Sequence, residues 1–165
     1  MIIDAQVFHC LAFYFHSPRV STDDVLAVAG AQSSDLSHTW NRMSRHPERS
    51  PLPRSVIALS RGWQRVSDFL GRPALAYQLA DGAGSRATLF EVDLDLPDLR
   101  ATPPAQPQLT TGGRAVAAWK WRDRVYVLVI TGPDAERRYR NFVDPLQTLA
   151  LRMLHHRATH GRPAA

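Results

Sequence analysis

The stretch that most constrains the fold is 111–132, TGGRAVAAWKWRDRVYVLVITG. Two glycines lead into a pair of apolar runs separated by a short charged turn, which is the pattern of a β-hairpin. The strands are expected over 114–121 and 124–131, with Arg122 and Asp123 at the tip. Side chains alternate along an extended strand, so Val125, Val127 and Val129 share one face and Tyr126, Leu128 and Ile130 the other. Both faces of the returning strand are therefore apolar. Such a strand belongs inside a sheet that is covered on both sides.

A chain of 165 residues is one domain by length and long enough to bury a substantial core. With 44% hydrophobic and 21% charged residues it has the balance of an ordinary globular protein. The 20 basic residues exceed the 15 acidic ones by five, and Lys120 is the one lysine among them. Arginine suits carboxylate and phosphate contacts but also packs flat on aromatics, so its abundance selects no partner. No basic block or RNA-binding aromatic motif accompanies the charge, which argues against nucleic acid as a partner. Cys10 is the only cysteine, so no disulfide forms within the chain and the core must supply its stability.

The opening run, MIIDAQVFHCLAFYFHSP, is apolar, but Asp4 occupies the place of a basic n-region and His9 and His16 interrupt it. It is also too short to span a bilayer. The expectation is a cytoplasmic chain with neither export signal nor membrane anchor. The alternative is an extracytoplasmic domain cut from a longer membrane protein.

Residues 5–15 suggest a strand, or else a buried helix. Ser21 or Thr22 then offers an N-cap, Asp23 and Asp24 place carboxylates in a first helical turn, and the helix is expected to run over 25–31. Leu36, Trp40 and Met43 recur at helical spacing and predict a second short helix starting near Ser34 or Asp35. Residues 46–53 form a proline-bound connection. Short strands are expected at 56–59 and 62–69, although Trp63 to Leu70 also fits helical spacing. Residues 73–80 and 86–94 make a second hairpin around the turn DGAGS, expected to pair with the first. A proline-rich excursion follows over 97–107.

Past the main hairpin, Pro133 and Asp134 mark a helix start, and Ala135, Tyr139, Phe142 and Val143 form its apolar stripe. Asp144 and Pro145 restart a helix whose stripe is Leu146, Leu149, Ala150, Met153 and Leu154. The fold class that follows is α+β, a single domain over 1–158 with a flexible tail at 159–165. Its mostly antiparallel sheet has about five strands, two short N-terminal helices precede it, and a C-terminal helical segment packs on it.

Candidate chemistry is sparse. His156 and His160, four apart with His155 beside the first, are the weak candidates for a metal site. They lack a neighbouring carboxylate or cysteine, and cations near a helix C-terminus oppose its dipole without any ligand. No serine sits in a G-x-S-x-G elbow, and the glycines at 82 and 84 match no phosphate-binding loop. Glu91, Asp93 and Asp95 alternate on one strand and suggest the solvated face of an edge. No catalytic residue, metal or cofactor is assigned. The tryptophans are more informative. Trp119 and Trp121 share a strand face close to Arg122 and Arg124. If exposed, the four make a protein-binding patch, because Trp and Arg dominate interface energetics. If the terminal helix stripe lies over them, the rings are core.

Several stretches together resemble the C-terminal, extracytoplasmic domain of transmembrane anti-sigma-factor-like proteins, in their planctomycete-type variants. The matching pieces are Gly62-Trp63, Leu70-Gly71-Arg72-Pro73-Ala74, Ala87-Thr88-Leu89-Phe90, Thr111-Gly112-Gly113, Ala117-Ala118-Trp119 and Val125-Tyr126-Val127-Leu128-Val129. They cover 62–150. The resemblance implies a non-enzymatic sensor or protein-interaction domain in transcriptional regulation. The chain departs from that plan in lacking the His-x3-Cys-x2-Cys sigma-binding segment and a transmembrane helix, so sigma binding does not carry over. The alternatives are a hydrolase-like enzyme using a histidine, or a basic nucleic-acid-binding protein.

Overall fold

The computed structural model describes residues 20–36, 40–42, 47, 52, 60–80 and 86–144. Within them the chain forms a helix, six strands and a second helix: α1 (Thr22–Asp35), β1 (Gly62–Phe69), β2 (Arg72–Ala80), β3 (Arg86–Val92), β4 (Leu109–Thr111), β5 (Arg114–Trp121), β6 (Arg124–Thr131) and α2 (Ala135–Val143). The strands make one sheet in the order β1-β2-β3-β6-β5-β4, and every pairing is antiparallel.

The main hairpin has the expected boundaries, with Trp121 opposite Arg124 across its two-residue tip. The hairpin of β2 and β3 joins it through the pairing of β3 with β6. That puts β6 mid-sheet, and residues 125–130 are all buried. Alternation sorts them into two cores. Val125, Val127 and Val129 face α1 with Phe69, Phe90, Val92, Val116 and Ala118. Tyr126, Leu128 and Ile130 face α2 with Tyr77, Leu79, Leu89, Ala117 and Trp119. Full burial of a side chain of this size contributes roughly 1.5–3 kcal/mol, so the sheet's centre carries much of the stability.

Each helix covers one face over β5 and β6. Ser21 caps α1, accepting from the Asp24 backbone N–H while the Asp24 carboxylate accepts from the Ser21 backbone N–H at 2.9 Å, a complete capping box. Val25, Leu26 and Ala29 form the buried stripe of α1. On α2 the stripe is Ala135, Tyr139 and Phe142.

The connection 93–108 lies against the outer edge of β5. It buries Leu94, Leu96 and Leu99 in the α1-side core. The Arg100 carbonyl accepts from the Lys120 N–H at 2.8 Å, and the Gln108 N–H donates to the Val116 carbonyl at 2.9 Å. The Gln108 side chain accepts from the Ala118 N–H at 2.6 Å. Backbone groups that an edge strand would leave open are thus satisfied along β5.

Three expectations need correction. The sheet, expected to have about five strands, has six, because the three residues of β4 pair with β5. The second N-terminal helix does not begin at Ser34 or Asp35, which form the last turn of α1. Leu36 is already extended, and Asn41 bridges to Trp63 by two backbone hydrogen bonds. The strand expected at 62–69 is present with those bounds, and the alternative helix is not, since the segment's N–H and C=O groups pair with β2. Glu91 is not on an edge: β3 lies between β2 and β6, and the Glu91 carboxylate accepts from the Tyr77 hydroxyl at 3.1 Å. Asp93 and Asp95 lie beyond the strand's end and are exposed. The features expected at 5–15, 56–59 and 145–165 lie outside the described residues, as do the turn at 81–85, Cys10 and all seven histidines, His156 and His160 included.

Candidate functional site

Of the four residues expected to form a contact patch, Trp119 is parted from the other three on folding. Trp119 is fully buried and stacks on Tyr126, with ring centroids 6.0 Å apart and planes at 14°. It shares its core with Tyr139 and Phe142 of α2, so it is not a surface residue, because the helix stripe lies on that face. Trp121, two positions further on, reaches past this cover and is half-buried. Arg122 and Arg124 are exposed, and their side chains make no hydrogen bond or ion pair among the described residues. The Nε1 groups of Trp119 and Trp121 are enclosed without an acceptor among the described residues, so what these rings contribute there is apolar area.

The tip itself is strained. Arg122 has φ 58°, a left-handed conformation that costs a residue with a Cβ roughly 1–2 kcal/mol relative to glycine. Leu70 adopts the same conformation at the turn between β1 and β2, where its side chain packs against the α1-side core. Arg122 has no such compensation: its side chain extends into solvent.

At the opposite end of the same hairpin lies an open cleft of about 510 Å³. Its walls are the β4–β5 turn with Arg114, and the β6–α2 connection with the first turns of α2, including Arg137 and Arg140. The two walls are tied by the Gly132 N–H, which donates to the Gly113 carbonyl at 2.9 Å. Gly112 and Gly113 both have positive φ, which lets a two-residue turn close between β4 and β5. Arg138 braces the β6–α2 connection by donating to the Thr131 carbonyl at 3.1 Å. The Arg114 guanidinium donates to the Ser34 hydroxyl at 2.8 Å, and Arg137 pairs with Asp134 at 2.7 Å. Arg140 is exposed, and its guanidinium has no hydrogen-bonding partner among the described residues. No sequence motif announced this cleft, because its two walls come from separate turns that only the hairpin register brings together.

Among the described residues, no group of three His, Cys, Asp or Glu side chains is placed to hold a metal ion. Nor is any helix among them long and apolar enough to cross a membrane. No protein family, curated protein or solved structure matches the chain.

Proposed function

We propose that the chain is a non-enzymatic binding domain, a sensor or protein-interaction unit, that meets a protein partner at the tip of the β5–β6 hairpin. The observation that carries this is Arg122, held in a left-handed conformation with its side chain exposed and, among the described residues, no hydrogen bond or ion pair to offset the strain. Strained residues without an internal reward cluster where a surface is used. Beside it, Arg124 and the half-buried Trp121 supply two residue types that dominate protein interfaces. The rigid sheet behind them presents the tip with little ordering cost on binding. The resemblance to anti-sigma-factor-like proteins directs the search for a partner to bacterial transcriptional regulators.

The test compares immobilised wild-type protein with a Trp121→Ala, Arg124→Ala double variant, quantifying retained proteins by mass spectrometry. A protein retained by the first and lost by the second, with melting unchanged, supports the proposal. Identical retention by both overturns it. A third variant, Arg122→Gly, is expected to raise stability by about 1 kcal/mol while weakening retention, since relief of strain and loss of the side chain act in opposite directions.

A further inference from the structure

The charge of the described surface is unevenly divided between the two ends of the sheet. At the hairpin-tip end, Asp93, Asp95 and Asp123 are interspersed with Arg100, Arg122 and Arg124, and Lys120 pairs with Asp95 at 3.1 Å. At the other end stand Arg61 and Arg86, outside the cleft, and Arg114, Arg137, Arg138 and Arg140 in or beside it. The acidic residues lining the cleft are Asp134 and Glu136. The first of these is engaged with Arg137. The basic end also holds the cleft, whose volume falls within the range of small-molecule sites.

We propose that this cleft binds a small molecule through a phosphate or carboxylate group held by Arg114 and Arg140, a site separate from the hairpin tip. Arg114 comes from β5 and Arg140 from α2, so the recognition rests on two elements of the scaffold and not on the start of one helix. The bond to Ser34 takes one N–H group of Arg114 and fixes the guanidinium in place, leaving other donors of its fork for a ligand. Arg140 brings a full set of donors, none of them engaged by the described residues. A planar guanidinium pairs two parallel N–H groups with two oxygens of one carboxylate or phosphate, a geometry that lysine does not reproduce. The exposed Arg137–Asp134 pair contributes little to stability, so Arg137 is free to exchange its partner for a ligand oxygen.

The experiment is calorimetric titration of the full chain with inorganic phosphate and, separately, with citrate, at constant ionic strength set by chloride. It is repeated on Arg140→Gln and on the Arg114→Gln, Arg140→Gln double variant, with melting followed in parallel. The expected result is saturable binding of at least one probe, weakened about tenfold by Arg140→Gln and further by the double variant. Phosphate alone binding assigns a phosphoryl group; citrate alone binding assigns a carboxylate. Arg140→Gln removes no described contact, so its fold is expected to be unchanged and its affinity is decisive. Absence of saturable heat with both probes overturns the proposal, as does unchanged affinity in the double variant. Tight binding of a short DNA duplex that neither anion displaces also overturns it, in favour of a polymer.

Discussion

Gly30 and Gly62 carry opposite expectations for the same substitution. Gly30 sits inside α1, where an added Cβ would meet Val116 Cγ2 at 3.7 Å, an ordinary contact. Gly30→Ala is therefore expected to stabilise by about 1 kcal/mol through helix propensity, read as a shift in the denaturation midpoint. At Gly62 the same methyl would lie 2.7 Å from Trp40 Cβ and 3.0 Å from the Asn41 carbonyl oxygen. Gly62→Ala must push away the segment that bridges to Trp63, and about 1–3 kcal/mol of destabilisation is expected. Asp24 adds a pH dependence. The Ser21 side chain and then its backbone N–H hold the Asp24 carboxyl below its usual range. A depressed pKa means stability present above the unfolded-state value, 3.8, and lost as pH falls through the lower folded value. In Asp24→Asn that loss on acidification is expected to be shallower. The helix start was legible in the sequence as a cap at Ser21 or Thr22 followed by acidic residues, a local signal, whereas the contact of Gly62 with Trp40 joins segments that only the folded chain brings together.

The connection beside β5 and the helix α2 are bound to each other through Tyr139. Its hydroxyl donates to the Pro104 carbonyl at 2.7 Å from a fully buried ring. Tyr139→Phe is expected to cost about 1 kcal/mol. Burial raises the phenol's pKa above its usual 10.0, so the folded state keeps its proton after the unfolded state has lost it. Stability from this group is complete below pH 10.0 and falls as pH rises beyond it. Urea midpoints measured across that range should decline more steeply for the wild type than for Tyr139→Phe. Gln108→Ala, which frees the Ala118 N–H, is expected to cost about 1–2 kcal/mol and to speed aggregation, followed by light scattering. At this scale the β5–β6 hairpin and α2 were readable because their apolar periods run through eight or nine residues. β4 was not, as three residues are too few to show a period and its pairing is imposed by the Gly112-Gly113 turn. The sequence places Trp119 and Trp121 on one face, but which of them is covered depends on where Tyr139 and Phe142 come to lie, a tertiary fact without a local signal.

For the molecule as a whole, a double-faced strand near the middle of an antiparallel sheet divides the interior into two cores, each closed by a helix. The hairpin that builds this centre also carries the strained tip at one end and the basic cleft at the other, so both proposed surfaces are mounted on its most deeply buried pair of strands. The fold class was legible because a run of six consecutive apolar residues beside a two-residue turn fits few other arrangements. Neither surface was legible as a whole, since exposure and charge segregation emerge only once the strand order is set. Native-state amide hydrogen exchange tests the central position of β6 most directly. The amides of 125–130 and of their partners in β3 are expected to exchange only through global unfolding, more slowly than those of β1 and β4 at the margins. Exchange of 125–130 at the rate of the marginal strands would contradict a buried, doubly covered centre.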